Sequence, residues 1–307
     1  MTRRPELRIG LGLLALGVFF TLVCGPDFLL RPQWLTLAAE IGVVAIPLTL
    51  LVIAGEFDLS AGSVLAAAGM TTAIAHGHFT TPLWAAALLA LAVGALTGLL
   101  NGVLTVVTGL PSFLVTLVSL LLVAGGTLGL SRAITGSGGV SLRPAGPGTV
   151  EAVVLAWVLL ALVAGRLLGH TPFGNWVLAT GGDRTAARAL GVPVTRVRIT
   201  LFVATSTAAA LIGVAQAIRF AGADVARGQG FLFVCLTAVV IGGAALSGGR
   251  GSVTGACLGS ALCAVLSAGV VQAGWGSDWA PLLWGALLLA ATAGQHGVRR
   301  SRSGRPW

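Results

Sequence analysis

The sequence predicts an all-α polytopic membrane protein of about ten transmembrane helices, with an internal parallel repeat and both termini in the cytoplasm. Hydrophobic residues make up 56% of the 307 residues, charged residues make up 9%, and the mean hydropathy is +0.98. Because a soluble domain carries roughly 25% charged residues, this composition excludes a soluble fold. Residues 1–307 are therefore interpreted as a single transmembrane domain.

Ten apolar windows are long enough to cross a bilayer, which requires about 20 residues. They are 8–24, 35–54, 60–76, 83–104, 112–131, 150–168, 197–217, 231–246, 252–272 and 281–296. Several are short or interrupted by glycine, as tilted or re-entrant segments are. The first window follows three arginines, as in a signal peptide, but no small-residue cleavage motif follows it, so we interpret it as an uncleaved span.

The distribution of arginine predicts the orientation. With the N-terminus inside, the inner segments contain Arg3, Arg4, Arg8, Arg166, Arg184, Arg188, Arg196, Arg198, Arg250, Arg299, Arg300, Arg302 and Arg305. The outer segments contain Arg31, Arg132, Arg143, Arg219 and Arg227. Since cytoplasmic loops of membrane proteins carry an excess of basic residues, this bias predicts a multi-pass membrane protein with both termini inside.

The chain contains no lysine, and all 18 of its basic residues are arginine. A P-loop requires a lysine to hold the phosphates, so the chain is not an ATPase of that type. If ATP drives its work, a partner binds the ATP and Mg²⁺, and no cofactor is expected in this chain. The arginines lie between apolar spans, which indicates contact with anionic lipid and no nucleic acid. The four cysteines lack metal-ligand spacing, so no metal site is expected.

A polar island, residues 181–193, interrupts the apolar pattern. Asp183 is a good N-cap, Gly191 a good residue for ending a helix, and Pro193 prevents continuation, so residues 184–190 are predicted to form a short helix. One side of this helix holds Arg184 and Arg188, and another side holds Ala186, Ala189 and Leu190. Such a helix is too short to be stable alone. It is either a docking element for a protein outside the membrane or a loop that is merely helical.

The chain also repeats itself. Residues 52–64 resemble residues 240–253: in both, an apolar span ends in glycine, a polar break contains Leu-Ser and Gly-Ser, and a span rich in small residues follows. The repeat-like segments extend over about 35–131 and 217–296. Because the breaks are an even number of spans apart, the copies should run parallel, and matching breaks indicate a transport pathway. The alternative is a chance match between glycine-rich membrane segments.

Three stretches carry a resemblance to a known family: Gly55 to Ser63, Trp176 to Arg198, and Gly228 to Ser252, supplemented by Asn101-Gly102 and 111–113. The chain resembles permease subunits of the ribose-type ABC importers, which include xylose, galactose and autoinducer-2 permeases. The resemblance implies ten helices around a central path and two permease subunits, identical or related. It also implies a cytoplasmic ABC ATPase, an extracytoplasmic solute-binding protein, and a monosaccharide or similar small polar solute.

The resemblance also assigns roles. Segment 175–198 matches the family's cytoplasmic coupling segment, which contacts the ATPase. The matching positions are Asp183, Arg184, Ala187, Arg188, Leu190 and Gly191. Nucleoside and branched-chain amino acid permeases share much of the pattern, so they are the alternative. Glu56 stands where many ribose-type members have glycine.

The two breaks supply the candidate residues of the translocation path or gate. These are Glu56, Asp58, Ser60, Ser63, Ser247, Arg250 and Ser252. The simplest role of Asp58 and Ser252 is to cap the helices that follow; the alternative is that they line an inner gate. We expect Ser60 and Ser247 to face each other across the path.

Glu56 has no such structural role, because an acid that faces lipid would be costly. It is expected to face a wet cavity or to pair with Arg250 of the other break. Glu40, about 8 Å into its span at the helical rise, either faces the path or reaches water. Gln216 could bind a solute hydroxyl, although interhelical hydrogen bonding explains such residues equally simply.

Two other classes of function compete with a passive permease subunit. An ion-coupled secondary transporter would need an acid at membrane depth, for which only Glu40, Glu56 and Asp58 qualify. An intramembrane enzyme is disfavoured because the chain has no paired aspartates and no HExxH motif. We therefore expect a transport subunit and no catalytic residues.

Overall fold

The structure is a computed structural model that describes residues 5–142 and 149–303, with side chains described for 6–142 and 149–292. Its helices are α1 Pro5–Cys24, α2 Gln33–Ile53, α3 Ala61–Thr72, α4 Leu83–Thr108, α5 Ser112–Thr135, α6 Thr149–His170, α7 Pro172–Gly182, α8 Arg184–Ala189, α9 Val194–Arg219, α10 Arg227–Ile241, α11 Val253–Gln272 and α12 Trp279–Ser303. A π-helical turn, Ala73–His78, extends α3. Strands β1 Gly139–Ser141 and β2 Gly222–Asp224 pair antiparallel, with Val140 opposite Ala223.

Each of the ten predicted windows coincides with a helix. Among the described residues, seven helices are long and apolar enough to cross a membrane: α1, α2, α4, α5, α6, α9 and α11. The all-α polytopic membrane fold is thereby confirmed. Helices α3 and α10 are shorter: α3 passes into the π-helical turn after Thr72, and α10 ends before Gly242 and Gly243, the second of which has a φ of +87°. The count of ten spans stays a prediction.

The orientation also stays a prediction. Of the arginines that predict it, Arg3, Arg4, Arg143 and Arg305 lie outside the described residues. For Arg299, Arg300 and Arg302 only the backbone is described.

Helix α2 lies at the centre of the molecule, and almost all of its side chains are buried. It packs against α6, α9, α10 and α11. Helices α1, α4, α5 and α6 instead present many exposed leucine and valine side chains. In a bilayer, such surfaces face lipid or another membrane subunit.

Helices α4 and α9 approach closely because Gly94, Gly98 and Gly102 recur every fourth residue on one face of α4. A Cβ atom on Gly98 would lie 2.6 Å from the carbonyl oxygen of Phe202, and one on Gly102 would lie 2.9 Å from the Cα atom of Ile199. Small residues at these positions therefore hold the central part of α9 against α4.

The repeated segments pack reciprocally. Helix α2 contacts α11, and α3 contacts α10. Helices α2 and α10 are the equivalent helices before the two breaks, and α3 and α11 are the equivalent helices after them. Each of the two contacts therefore joins the helix before one break to the helix after the other. This is the packing that a two-fold relation between the repeats would produce. The parallel direction of the copies stays a prediction.

The strand pair was not predicted. Strand β1 lies in the glycine- and serine-rich segment after α5, and β2 follows α9 directly. Leu142 and Ala223 join Met70 and Ala217 in a small apolar cluster beneath the strands. Helix α9 thus runs from the end of the molecule that carries α8 to the end that carries the two strands, which we call the strand end. Arg198, near the start of α9, and Arg219, at its end, therefore lie far apart.

Candidate functional site

Helix α8 forms as the sequence predicts. Asp183 has an extended backbone, and its Oδ1 accepts hydrogen bonds from the N–H groups of Thr185 (2.8 Å) and Ala186 (3.0 Å). At the other end Gly191 has a φ of +81°, and the N–H of Val192 donates to the carbonyl of Ala187. Such a left-handed residue is the usual end of a helix. Local capping chemistry therefore defines both ends.

The surface of α8 differs from the prediction in one respect. Leu190 is 84% exposed, Arg188 is exposed and Ala187 is buried. Arg184, predicted to share a surface with Arg188, instead turns toward the protein: its Nη2 donates to the Gly55 carbonyl at 2.8 Å. The exposed surface of α8 is therefore apolar with a single arginine.

The carboxylate of Glu56 lies at the centre of a charged group that we call the Glu56 cluster, formed by Glu56, Arg184 and Arg198. Glu56 is 1% exposed, and its Oε1 pairs with Nη2 of Arg184 at 2.8 Å and with Nε of Arg198. The predicted pairing of Glu56 with Arg250 is wrong, because Arg250 is exposed. Two arginines satisfy the buried acid, as the cost of burying an ion requires.

Break 1, residues 54–60, has a second buried acid. Asp58 Oδ1 accepts hydrogen bonds from the N–H (2.8 Å) and hydroxyl (2.6 Å) of Ser60, and its Oδ2 accepts one from Ser206 (3.4 Å). Asn101 Nδ2 donates to the Ser60 hydroxyl at 2.8 Å. Ser60, rather than Asp58, occupies the position before α3. The predicted N-cap is therefore wrong by two residues, although Asp58 still satisfies an N–H at that helix end.

Helix α5 satisfies the other freed backbone groups of break 1. The N–H of Phe57 donates to the Ser112 hydroxyl at 3.0 Å, and that of Leu59 donates to Thr116 Oγ1 at 3.1 Å. Buried N–H groups need partners, and here side chains supply them. Ser63, one turn into α3, is buried and donates to the Ser60 carbonyl. Break 1 is thus an enclosed polar segment.

Break 2, residues 242–252, is built from glycine. Gly248 and Gly249 have φ angles of +79° and +75°, which favour glycine. Ser252 caps α11 as predicted, with its hydroxyl accepting the N–H of Gly255 at 3.0 Å. Ser247 is exposed whereas Ser60 is fully buried, so these two serines lie in different surroundings.

The two breaks meet at the end of α7, which the sequence did not predict. The N–H of Gly249 donates to the Ile53 carbonyl at 2.8 Å. A Cβ atom on Gly181 would collide with that same carbonyl oxygen, and one on Gly248 would lie 2.6 Å from the Gly181 carbonyl oxygen. Backbone packing at glycine therefore joins break 1, break 2 and the segment that leads into α8.

A third buried acid, Glu40, pairs with the other end of α9, in what we call the Glu40 cluster: Glu40, Gln216 and Arg219. Glu40 is 1% exposed; its Oε2 accepts a hydrogen bond from Gln216 Nε2 and its Oε1 pairs with Arg219 Nη2, each at 3.0 Å. The predicted solute contacts Glu40 and Gln216 therefore contact each other. Arg219 was missed, because 179 positions separate it from its acid.

Gln216 also borders a small cavity of about 10 Å³, together with Gly69, Asp224 and Arg227. Its Oε1 atom is buried and has no hydrogen-bond partner among the described residues. Sites for small molecules usually enclose about 300–1,000 Å³. The cavity on its own is therefore too small for a complete solute site.

The chain was compared with known proteins. A family model described as "Branched-chain amino acid transport system / permease component" matches residues 31–292. The chain is 35% identical over 261 residues to the probable ABC transporter permease protein y4mJ of Sinorhizobium fredii, a match that covers 82% of this chain and 77% of that protein. No solved structure matches the chain.

Several relatives are named autoinducer 2 import system permease protein LsrD. That of Photorhabdus laumondii is 31% identical over 267 residues, covering 83% of this chain and 79% of the relative. That of Salmonella typhimurium is 30% identical over 265 residues, covering 83% and 80%. These matches confirm the resemblance that the sequence motifs indicate. The chain therefore belongs to this family of ABC transporter permeases, and it is a multi-pass protein of the inner membrane.

Proposed function

We propose that the chain is the membrane subunit of an ATP-driven importer that moves a monosaccharide or a similar small polar solute into the cell. The observation that carries this proposal is α8, a capped helix with an exposed apolar residue, whose flanking segment packs against both breaks. An element that meets both breaks is suited to convert a partner's movement into a change of the pathway.

The proposed partner at α8 is a cytoplasmic ATPase, which binds the ATP and Mg²⁺. We further propose an extracytoplasmic solute-binding protein at the strand end and a second permease subunit, identical or related, against an exposed apolar face. With the N-terminus inside, α8 lies in the cytoplasm, where ATP is available. The whole chain, 1–307, acts as one permease domain.

The proposed ATPase-docking surface consists of α8 and the residues at its two ends, and each of these residues has a distinct role. Asp183 and Gly191 define the ends of the helix, and the buried Ala187 orients it. Arg188 and Leu190 are exposed and are proposed to contact the ATPase. An apolar side chain beside a basic one suits a groove with an acidic rim.

The proposed gate is the place where the two breaks meet. The buried groups of break 1 hold its shape, whereas the exposed Ser247 and Arg250 of break 2, with the half-buried Ser252, are proposed to line the path. Glu40 and Gln216 are the proposed solute contacts, supported by the buried Gln216 Oε1 atom, which has no hydrogen-bond partner among the described residues.

A sugar-like solute is favoured over a branched-chain amino acid or a nucleoside. The family model takes its description from branched-chain amino acid systems, but several of the matched relatives are named as autoinducer 2 import permeases. An ion-coupled mechanism is disfavoured because Glu40, Glu56 and Asp58 already have protein partners.

The test is co-expression with the ATPase encoded beside the chain, followed by purification and uptake in proteoliposomes. Leu190→Asp should weaken ATPase binding by about 2 kcal/mol or more, over tenfold in affinity, because it places a charge where an apolar contact forms. Phe79→Asp, also an exposed apolar residue but at the strand end, is the matched control and should bind the ATPase normally. Failure of the wild-type chain to bind any neighbouring ATPase would contradict the proposal.

A further inference from the structure

Arg184 differs from every other residue of α8 in what it contacts. Its guanidinium leaves the short helix and reaches the Gly55 carbonyl and the Glu56 carboxylate, both at 2.8 Å. Gly55 lies two residues after Ile53, where the central helix α2 ends. A cation at this position stabilises the C-terminal end of a helix. Arg184 therefore connects α8 to the end of α2 and to break 1.

The two arginines of the Glu56 cluster are not equivalent. The Arg198 side chain is 7% exposed, whereas that of Arg184 is 40% exposed. Both arginines pair with the same carboxylate oxygen, but only Arg198 is buried with it, and one arginine is enough to balance its single charge. When the half-exposed Arg184 leaves for water, the buried carboxylate therefore keeps a partner, as the cost of burying an ion requires. Arg198 is thus a fixed anchor, and Arg184 is a contact that can open.

We infer that Arg184 is a positioning residue that couples movement of α8 to break 1 through Gly55 and Glu56, rather than a residue that docks the ATPase. This inference rests on the proposed function of α8. When the ATPase displaces α8, the Arg184 contact opens and withdraws a cation from the end of α2 and from Glu56. Arg198 keeps the carboxylate buried meanwhile, so break 1 shifts without unfolding.

A second contact, at Gly181, also connects the segment before α8 to the two breaks, but it is steric and not electrostatic. Gly181 packs against the Ile53 carbonyl and Gly248 through backbone atoms, so it transmits movement only by direct displacement. Arg184 adds an electrostatic contact that forms in one position of α8 and is lost in another. Two states of one contact are what coupling between two sites requires.

The experiment measures binding and coupling separately in the purified complex with the ATPase. Arg184→Gln removes the positive charge of Arg184 and keeps the Glu56–Arg198 pair. It also leaves the exposed residues Arg188 and Leu190 unchanged. We expect normal affinity for the ATPase and a ratio of solute transported to ATP hydrolysed that falls about tenfold, within the range of typical coupling effects. Arg184→Lys keeps the charge and should recover most of the ratio. Arg166→Gln, an exposed arginine on α6, is the control and should match the wild type.

Three outcomes would overturn the inference. Loss of ATPase affinity in Arg184→Gln together with transport would make Arg184 a docking residue. A lower yield with an unchanged transport-to-ATP ratio in the folded fraction would make the contact structural only. An Arg184→Lys variant as uncoupled as Arg184→Gln would show that the charge is not what matters. Failure of the wild-type chain to bind the ATPase would instead contradict the proposed function.

Discussion

The two breaks resemble each other in sequence but differ in how they are held. Break 1 buries Glu56, Asp58 and Ser60, and each has charged or hydrogen-bonded partners from α4, α8 or α9. Break 2 exposes Ser247 and Arg250, and its shape depends on glycine backbone. A shared motif therefore determines where the chain leaves the helix. The neighbouring helices determine what the side chains in the break do.

The difference has a consequence for a gate. Break 1 is held by charges and side-chain hydrogen bonds that a shift of α8 or α9 can rearrange. Break 2 is held by close backbone contacts that permit little change. We therefore expect break 1 to be the segment that responds and break 2 to be the surface against which it moves.

The largest expected effect comes from the point where the breaks meet. In Gly181→Ala the new Cβ atom collides with the Ile53 carbonyl, which already accepts the Gly249 N–H and cannot move freely. Overpacking usually costs about 1–3 kcal/mol, and it costs more where the obstacle is backbone that cannot move, so this variant should lose more stability than any other variant described below. We expect a lower thermal midpoint and a smaller monodisperse fraction on size-exclusion chromatography in detergent.

Gly182→Ala is the matched control for this prediction. It adds the same methyl group one residue later on the same helix, but a Cβ atom there meets nothing within 4 Å. Its midpoint should equal that of the wild type or rise slightly, since alanine favours helix. Equal midpoints for the two variants would mean that the breaks do not meet as described.

The next largest effect compares the charged residues of the two breaks. Glu56→Ala leaves Arg198 buried without a partner, which costs about 3–5 kcal/mol. Arg250→Ala removes an exposed side chain of break 2 and should change stability by no more than about 0.5 kcal/mol. Thermal unfolding of the two purified variants checks this order.

A double variant sharpens the same comparison. Glu56→Gln with Arg198→Gln replaces the buried charges by neutral groups and should recover much of the loss, as exchange of a buried ion pair often does. If Arg250→Ala lowered the midpoint as much as Glu56→Ala, the two breaks would be held by equivalent charges after all.

The parts predicted correctly from the sequence depend on neighbours along the chain. Asp183, Gly191 and Ser252 end or begin helices through residues within four positions, so their capping roles follow from local chemistry. The apolar windows identify the helices for the same reason. The family motifs are contiguous as well, and the matched relatives confirm what they indicate.

The parts predicted wrongly depend on packing between distant segments. The match between the breaks indicates Arg250 as the partner of Glu56. The actual partners are Arg184 of α8 and Arg198 near the start of α9. Arg219 lies far from Glu40 in sequence, and no local pattern connects them. An acid in a span does require a partner, so the arginines at the span ends were the available signal.

The smallest expected effect on stability comes from single cysteines at positions 60 and 247, whose rates of reaction with a thiol reagent compare the accessibility of the two breaks. In a background without Cys24, Cys235, Cys257 and Cys263, single cysteines at the two positions would be treated with a charged thiol reagent in detergent. Ser247→Cys should react rapidly because position 247 is exposed. Ser60→Cys should react at least about tenfold more slowly, because its side chain is enclosed by Asp58 and Asn101 and its thiolate would be costly to form there. Faster labelling at position 60 when the ATPase binds ATP would identify break 1 as the moving segment. Equal rates at the two positions in every state would contradict the difference between the breaks.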